Sequence, residues 1–450
     1  MLRACTPYHG GNPEREWGCC PGGVSTVRLS SPPAVHWITE TLQKAGHDTW
    51  AVGGAVRDIL SGYSAGDWDL TTQARPGQIQ QLFKRTVPIG VEHGTVGVLA
   101  RDGTLFEVTT FRKDVETDGR HAVVTFADTI EEDLARRDFT MNALAWHPLE
   151  QKLLDPFGGL EDLNAGVLRT VGVPKKRFTE DYLRILRAFR FAGRFNLTIE
   201  EPSWKALCKG IGHLADLSCE RVREELLKVL DQHRTPSSAL SLYAKAGALG
   251  VLYPELDELR IADKSGASNP WESTLASMDR LPPGNGFLRL AELLHLLDSD
   301  KVTGILLRLR FSNAQNDETA RRVSAAPLPG IDADDAAIRR WLSSTGPERL
   351  NALARLEMAR ARANPSSIPT PSEVVDSWRR ARCMRATGAP LTISDLALDG
   401  HDLIRMGLHP GPDFAQILND LLDFVLEDPT QNERGILEAR VGASSNSDEE

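Results

Sequence analysis

The spacing of apolar residues changes near residue 165 and divides the chain into two kinds of structure. Between residues 34 and 162, short β-branched runs alternate with glycines, which predicts strands, tight turns and short helices. Beyond residue 165, apolar positions recur every three or four residues, as in Val222, Leu226 and Leu230, which predicts amphipathic helices. The pattern therefore predicts an α+β protein, with a small mixed α/β domain followed by an all-helical remainder.

Local patterns place the main elements of the first domain. Trp50–Val52 predicts a strand, and the two glycines after it predict a tight turn before a short helix at Ala55–Leu60. Two further strands, Val96–Ala100 and Leu105–Thr110, flank an Asp-Gly pair that is typical of a β-hairpin. The first domain is therefore expected to combine a hairpin with a strand, turn and helix unit.

Composition excludes several classes of protein. Of the 450 residues, 41% are hydrophobic, but no run reaches the roughly 18 apolar residues of a membrane helix. The six cysteines form no Cys-x-x-Cys pair, so neither a disulfide framework nor a zinc site is predicted. The first 30 residues lack the apolar core of a secretory signal, and we interpret them as a loose extension.

Charge is unevenly distributed along the chain. The net charge is −10, yet residues 166–234 carry 14 Lys and Arg against nine Asp and Glu. This local excess of positive charge fits contact with a polyanion. The alternative is chance clustering on a solvated helical surface, and the charges alone do not separate the two.

The first candidate site is the glycine turn Gly53-Gly54, which opens the helix that contains Arg57. Exposed N–H groups at a helix start, with an arginine in the first turn, suit a phosphate. The alternative is a simple turn before a helix. The spacing also differs from the Gly-x-Gly-x-x-Gly pattern of dinucleotide-binding folds.

Asp67 and Asp69 form a second candidate site, because residues i and i+2 of an extended strand point to one face. Two carboxylates on one face suit Mg²⁺, which completes its octahedron with waters and substrate phosphates. The alternative is a solvated turn, in which Asp-x-Asp is common. Glu107 alternates with Phe106 and Val108 on its strand, so it either completes a carboxylate cluster or is an exposed strand residue.

Two stretches rich in arginine follow. Arg136–Asn142 opens with adjacent arginines before a threonine and an asparagine, which suits a triphosphate or ribose, or else simply begins a helix. Further on, four residues share about half of one helical circumference: Asp181, Arg184, Arg187 and Arg190. An accepting aspartate beside donating arginines can hydrogen-bond the Watson–Crick edge of a base. The alternative is an i,i+3 ion pair between Asp181 and Arg184.

Taken in this order, these stretches resemble the class II tRNA nucleotidyltransferases, or CCA-adding enzymes, and the bacterial poly(A) polymerases of the polymerase β-like superfamily. The resemblance covers residues 34–235, roughly half of the chain, and rests on five ordered motifs. Three more stretches are similar to the family: His93–Val98, Asp118–His121 and Asp155–Gly159.

The resemblance implies a polymerase β-like, mixed α/β nucleotidyltransferase head followed by an all-helical neck, body and tail. The implied division is a loose N-terminal extension at 1–33, a catalytic head at 34–165, a nucleotide-selecting neck at 166–235, a body at 236–330, a tRNA-binding tail at 331–440 and an acidic disordered end at 441–450. Residues 113–122 match the loop that the family uses when it switches to ATP.

The same resemblance implies an activity and its residues. It implies template-independent addition of CCA to the 3′ end of tRNA from CTP and ATP, with two Mg²⁺ ions, in the cytoplasm. The implied catalytic residues are Asp67, Asp69 and Glu107, of which Asp67 and Asp69 bind the metal. The implied nucleotide-binding residues are Gly54, Arg57, Arg137, Asp181, Arg184, Arg187 and Arg190.

Other functions remain open at this point. A bacterial poly(A) polymerase shares the head, and an enzyme restricted to CC or A addition shares the same motifs. The stretch Glu180–Arg184 and the loop at Asp118–His121 favour the CCA-adding enzymes. An RNA-binding relative without catalysis is the alternative from another class, against which the intact Asp67 and Asp69 argue. No oligomeric state follows from the sequence.

Overall fold

The computed structural model describes residues 24–117, 122–262, 269–364, 366, 368–411 and 413–445. The chain divides into two compact units, the first ending at Leu217 and the second beginning at Ser218. Within the described ranges, no helix is both long and apolar enough to cross a membrane.

An eight-stranded sheet is the framework of the first unit. The strands of this unit are β1 (Val24–Thr26), β2 (Thr49–Val52), β3 (Asp69–Thr72), β4 (Thr86–Gly90), β5 (Thr95–Leu99), β6 (Leu105–Thr110), β7 (Arg112–Thr117), β8 (Ala122–Phe126), β9 (Ala145–His147), β10 (Lys152–Leu154), β11 (Val167–Leu168) and β12 (Thr198–Ile199). The sheet order is β1-β10-β9-β2-β3-β6-β5-β4, and neighbours are antiparallel except β3 and β6, which are parallel. The predicted loop at residues 113–122 falls on the β7–β8 pair, where residues 118–121 lie outside the described residues.

The predicted hairpin is confirmed in β5 and β6, which pair antiparallel. The Asp102 carboxylate accepts a backbone N–H within the turn (2.9 Å), and Gly103 has a φ of 89°, a left-handed conformation that favours glycine. On β6, Phe106 and Val108 are buried, whereas Glu107 between them is exposed. The hairpin therefore supplies core residues on one face and a carboxylate on the other.

The sheet begins earlier in the chain than the sequence predicts. The backbone of Val24–Thr26 pairs with Lys152–Leu154, inside the stretch 1–33 that we assigned to a loose extension. Immediately after this strand, the carbonyl of Val27 accepts the indole N–H of buried Trp146 (2.8 Å). A buried indole requires an acceptor, and this segment provides it. Part of the assigned extension therefore belongs to the sheet.

Eight helices accompany this sheet in the described part of the first unit. They are α1 (Pro33–Lys44), α2 (Gly54–Leu60), α3 (Pro76–Leu82), α4 (Ile130–Ala135), α5 (Gly159–Ala165), α6 (Pro174–Glu180), α7 (Leu183–Phe195) and α8 (Glu201–Gly210). Helix α2 follows β2 across the glycine pair, as predicted. The prediction that everything beyond residue 165 is helical is wrong in one detail, because β11 and β12 form a short parallel ladder there.

The prediction that residues 181–190 share one helix is wrong at Asp181. Asp181 is extended (φ −158°, ψ 108°), and α7 begins only at Leu183. The Asp181 carboxylate accepts the Leu183 N–H (3.0 Å), a local bond with which a short aspartate side chain competes against the helical backbone. Asp181 therefore lies in the loop before the helix that carries the three arginines.

The second unit is helical throughout its described elements, as the spacing of apolar residues predicts. Its helices are α9 (Cys219–Gln232), α10 (Pro236–Ala246), α11 (Ala248–Leu252), α12 (Pro254–Ala262), α13 (Pro270–Met278), α14 (Gly286–Leu294), α15 (Ser299–Arg308), α16 (Asn313–Ser324), α17 (Asp335–Thr345), α18 (Leu350–Ala363), α19 (Pro371–Ala386), α20 (Gly400–Arg405), α21 (Asp413–Glu427) and α22 (Arg434–Ser445). Leucines dominate one of its cores, with Leu342, Leu398 and Leu403 fully buried.

Candidate active site

Two aspartates lie where the chain enters β3. Asp67 precedes the strand and Asp69 is its first residue; both are exposed, whereas Trp68 and Leu70 are buried. This alternation directs the two carboxylates to the same side of the chain. The parallel neighbour β6 pairs with β3 in the register that places exposed Glu107 level with Asp69. The carboxylates of Asp67, Asp69 and Glu107 therefore lie close together, and we call this cluster the carboxylate edge.

The glycine turn after β2 lies against the carboxylate edge. Gly53 has φ 74° and ψ −131°, a conformation that other L residues rarely adopt. A β-carbon on Gly53 would lie 3.7 Å from Oδ2 of Asp69 and 3.4 Å from Nη1 of Arg137. Both glycines belong to the predicted turn, but the resemblance implies a role only for Gly54. The place of Gly53 between a carboxylate and a guanidinium depends on tertiary packing.

Electrostatics at the carboxylate edge favour a bound cation. The pKa of Asp69 is raised to about 6, because surrounding protein atoms remove part of its hydration and the Glu107 and Asp67 carboxylates repel its charge, with Arg137 offsetting part of the effect. A divalent cation would relieve this repulsion, and carboxylate oxygens are ligands that Mg²⁺ prefers. The residues present therefore fit such an ion.

The chain supplies only part of a coordination shell at this edge. Within the described ranges, no cluster of three or more His, Cys, Asp or Glu side chains is arranged to hold a metal by itself. Mg²⁺ commonly binds through one or two carboxylates and completes its shell with water and substrate phosphates. The arrangement of Asp67 and Asp69 agrees with an ion that is shared with a nucleotide.

Arg57, which we predicted to bind nucleotide, is buried. Its Nε and Nη2 donate to Oδ1 of Asp58 (2.9 and 2.6 Å), and its Nη1 donates to Oδ1 of Asn142 (2.6 Å). The guanidinium also lies 4.9 and 4.8 Å from the ring centres of Phe191 and Phe195. The side chain thus ties α2 to α7.

Asp138 makes a second connection to α7. Nε of Arg187 donates to its Oδ2 (2.7 Å), and Nδ2 of Asn142 donates to its Oδ1 (2.9 Å). Burial alone would raise the pKa of Asp138, but the Arg187 charge and these hydrogen bonds outweigh burial and hold the pKa at about 2. Arg194, also on α7, donates to Oδ2 of Asp58 (2.8 Å). We call these connected side chains the buried ion network; its members are Arg57, Asp58, Asp138, Asn142, Arg187 and Arg194.

Asp133 holds the two adjacent arginines of the predicted phosphate-binding stretch. Arg136 donates through Nε and Nη2 to Oδ1 of Asp133 (both 3.0 Å), and Arg137 donates through Nη2 to Oδ2 (3.1 Å). Burial would raise the pKa of Asp133, but the guanidiniums of Arg137 and Arg136 outweigh it and lower the pKa. Of the two arginines, Arg137 is the one that faces Gly53 and Asp69.

The residues predicted to select the base lie at the start of α7. Nη1 of Arg184 donates to Oε2 of Glu180 (2.6 Å), and its guanidinium also donates to two backbone carbonyls (2.8 and 3.2 Å). Arg184 and Asp181 are half-buried and keep some contact with solvent, whereas Arg190 is buried with its guanidinium 4.2 Å from the ring centre of Phe191. A ligand can therefore reach the first two side chains more readily than the third.

The predicted site residues fall into three groups in the structure. Gly54, Asp67, Asp69, Glu107 and Arg137 belong to the carboxylate edge and its glycine turn; Asp181 and Arg184 lie at the start of α7; Arg57, Arg187 and Arg190 point into the packing around α7. Sequence reasoning missed the acidic partners of these arginines. A carboxylate directly after an arginine, in an otherwise apolar stretch, is the sequence feature that identifies two of them, Asp58 and Asp138.

Two family models match the chain. They describe the poly A polymerase head domain, over residues 49–169, and the probable RNA and SrmB-binding site of polymerase A, over residues 196–260. The first match contains the strands of the carboxylate edge and the glycine turn. The fold and the site therefore define a nucleotidyltransferase with a head domain of the poly A polymerase type.

Several curated proteins similar to this chain are CCA-adding enzymes. Those of Geobacillus stearothermophilus and Lactobacillus delbrueckii subsp. bulgaricus (strain ATCC 11842) are 33% and 31% identical to this chain, over 88% and 89% of it and 93% and 95% of their own length. A third, from Geobacillus sp. (strain WCH70), is 44% identical over 50% of this chain and 56% of its own.

A solved structure supports the same relationship. The crystal structure of Bacillus stearothermophilus CCA-adding enzyme in complex with CTP is 29% identical, with a TM-score of 0.74, and the match covers 93% of this chain and 99% of that one. The chain belongs to the CCA-adding enzyme family, which confirms the resemblance and the α+β architecture found in the sequence. Membership implies the use of a divalent metal.

Proposed function

We propose that this protein adds CCA to the 3′ end of tRNA without a nucleic-acid template, using CTP and ATP and releasing pyrophosphate. The observation that carries the proposal is the pair Asp67 and Asp69, open to solvent beside Gly53 and Arg137. The pair occurs in a chain that is 31–33% identical to CCA-adding enzymes over 88–89% of its length. Paired carboxylates beside a glycine turn suit metal-assisted nucleotidyl transfer.

The residues of the carboxylate edge would act mainly by charge. Asp67 and Asp69 would hold Mg²⁺, which when bound neutralises charge on the α-phosphate and lowers the pKa of the attacking 3′-hydroxyl. Arg137, which faces Asp69 across Gly53, would donate to oxygens of the triphosphate. Glu107, level with Asp69, would add to the negative potential that retains the cation.

Asp181 and Arg184 would select the base. The Asp181 carboxylate accepts from the exocyclic amino group that cytosine and adenine share at this edge, and Arg184 donates to the neighbouring ring nitrogen. Uracil and guanine present a carbonyl in place of that amino group, and a carbonyl cannot donate to the aspartate. Arg187, bonded to Asp138, would position α7 for this contact.

The assignment of regions is part of the same proposal. Catalysis would occupy residues 34–165, base selection residues 166–235 and tRNA binding residues 331–440. We place the reaction in the cytoplasm, where CTP, ATP and unfinished tRNA occur together.

Primer extension tests the proposal. Purified protein and Mg²⁺ are incubated with a tRNA transcript that ends before CCA, with CTP alone, ATP alone or both, and the products are sequenced. We expect CC with CTP alone and CC followed by a single A with both nucleotides. Long A tracts would indicate a poly(A) polymerase, arrest at CC a partial enzyme, and no extension a relative that only binds RNA.

Metal dependence is tested in the same assay. Chelation of divalent ions is expected to stop extension, and Mg²⁺ is expected to restore it. Binding of tRNA, measured by gel shift in the chelator, serves as the control because the carboxylate edge is not required to hold the RNA. Extension that persists in the chelator would contradict the metal assignment.

A further inference from the structure

Residues of α6 and α8 line a cavity of about 410 Å³, and the proposed mechanism does not use them. Its wall is apolar and aromatic, and it includes Pro174, Phe178 and Tyr182. Its rim is basic, and it includes Lys175, Lys205, Lys209 and His213. An apolar hollow of this size, surrounded by cations, has the character of a ligand site.

The positive charge of the rim is compensated only in part. Nδ1 of His213 lies 3.2 Å from Oδ2 of Asp216, at the solvent surface. Lys175 and Lys209 are exposed, and neither takes part in an ion pair with another described residue. Lys205 pairs with Glu201 (2.5 Å) at the solvent surface, where such a pair holds the charge only weakly. In a protein with a net charge of −10, these lysines indicate an anionic ligand.

The aromatic wall contains a pair of stacked rings, so a base can add only to an outer face of this pair. The rings of Tyr182 and His213 are stacked, with centres 4.4 Å apart and planes inclined by 12°. Gly210 makes the close approach of α8 possible, because a β-carbon there would lie 2.8 Å from Cδ1 of Ile185 and 3.5 Å from the Tyr182 ring. Aromatic faces bordered by basic side chains are the surface on which proteins bind unpaired nucleotides.

We propose that this cavity binds an unpaired nucleotide of the RNA substrate, with its base against the stacked ring pair of Tyr182 and His213 and its flanking phosphates at Lys175 and Lys209. A duplex is too wide to enter a hollow of about 410 Å³, so the nucleotide must be single-stranded. The inference rests on the proposed function for the identity of the RNA, and it adds a place where that RNA is held.

Two further observations support the proposal. The family model for the probable RNA-binding site of polymerase A covers residues 196–260, which include α8 and His213. Tyr182 directly follows Asp181, so a nucleotide held in the cavity would contact the loop that carries a proposed base-selecting residue. RNA bound there would be anchored close to the point at which the incoming nucleotide is chosen.

The test compares cavity lysines with a neighbour that does not line the cavity. The double variant Lys175→Ala/Lys209→Ala is compared with Lys176→Ala, an exposed lysine of the same helix. We expect the double variant to raise the KM for tRNA about tenfold with an unchanged KM for CTP. The slope of log Kd for tRNA against log salt should fall by about 1.4, or about 0.7 for each lost phosphate contact. Lys176→Ala should remain near wild type in both measurements.

A second variant tests the volume of the cavity independently of the charge on its rim. Ala206→Trp fills the hollow without changing any lysine, and it should also raise the KM for tRNA, in protein whose unfolding midpoint matches wild type. Wild-type KM and tRNA affinity in both variants would overturn the inference and point to a protein partner for the cavity. If the wild type adds no CCA, the proposed function fails, whereas tRNA affinity measured by gel shift still decides whether the cavity binds RNA.

Discussion

Two aspartates of the first unit, Asp69 and Asp138, show how the surroundings of one side chain decide its role. Asp69 is exposed at the carboxylate edge, next to Asp67 and Glu107, and its pKa is raised to about 6. Asp138 is buried in the ion network, bonded to Arg187, and its pKa is held at about 2. Near Asp69, burial and two carboxylates outweigh the one arginine, whereas the charge of Asp138 is already matched by Arg187.

This difference in surrounding charge suits Asp69 to binding a cation and Asp138 to stabilising the fold. A carboxylate held next to like charges is stabilised when a cation binds, which supports the proposed role of Asp69 as a metal ligand. A carboxylate already matched to guanidinium and amide donors gains nothing from a cation, and its removal takes a buried acceptor away from Arg187. We therefore expect opposite effects when the two residues are replaced.

The largest expected effect is on catalysis. Asp69→Ala should lower CTP incorporation by about 10³-fold or more, because it removes a ligand of the metal that stabilises the transition state. Primer extension under single-turnover conditions measures the rate. As controls, tRNA affinity should stay within about twofold, and the free energy of unfolding should be unchanged or higher because a repelled charge is lost. Incorporation at the wild-type rate would remove Asp69 from the metal site.

Asp138→Ala tests the other half of the comparison. It should lower the free energy of unfolding by about 3 kcal/mol, because Arg187 and Asn142 lose a buried partner. Urea denaturation followed by tryptophan fluorescence gives the value, with Asp69→Ala as the matched aspartate. Equal stability of the two variants would show that Asp138 is not structural.

The pH dependence of stability sharpens the same contrast. The folded pKa of Asp138 is about 2, below its ordinary value of 3.8, so its stabilising effect is present above about pH 4 and is lost as the pH falls towards 2. The full effect is about 2 kcal/mol. Urea denaturation between pH 6 and 2 should show the advantage of wild type over Asp138→Asn shrinking below pH 4. A difference that stays constant down to pH 2 would contradict this pKa.

The smallest expected effect concerns base selection. Arg184→Ala should reduce discrimination of CTP and ATP against UTP and GTP by about tenfold, since one side chain that reads a base edge contributes about 1–3 kcal/mol. Competition assays with primer extension measure the ratio, and Lys176→Ala is the control on the neighbouring helix. Unchanged discrimination would show that Arg184 does not select the base. Its hydrogen bonds to Glu180 and to backbone carbonyls would then be structural only.

Features that depend on neighbouring residues were predictable from the sequence. The β5–β6 hairpin follows from an Asp-Gly pair between two β-branched runs, because turn geometry and strand register are local. The common face of Asp67 and Asp69 follows from the period of two residues in an extended chain. The helical second unit follows from apolar spacing in the same way.

Features that depend on distant partners were not predictable. Asp138 and Arg187 are 49 residues apart, and Gly53 reaches Asp69 only because the sheet brings β2 beside β3. Periodicity also misplaced Asp181, since a helical wheel assumes a continuous helix and takes no account of a carboxylate that captures the Leu183 N–H.

The sequence by itself determined the chemistry available to this protein: two carboxylates on one face, a glycine turn, clustered arginines and a resemblance to one family. Only the tertiary structure decided which of these groups stay accessible to a ligand and which form ion pairs inside the protein. The physical reason is that local spacing sets the direction of a side chain, whereas hydration and charge depend on atoms contributed by remote segments. Asp69 and Asp138 have the same side chain, and their partners make one a proposed metal ligand and the other a structural anion.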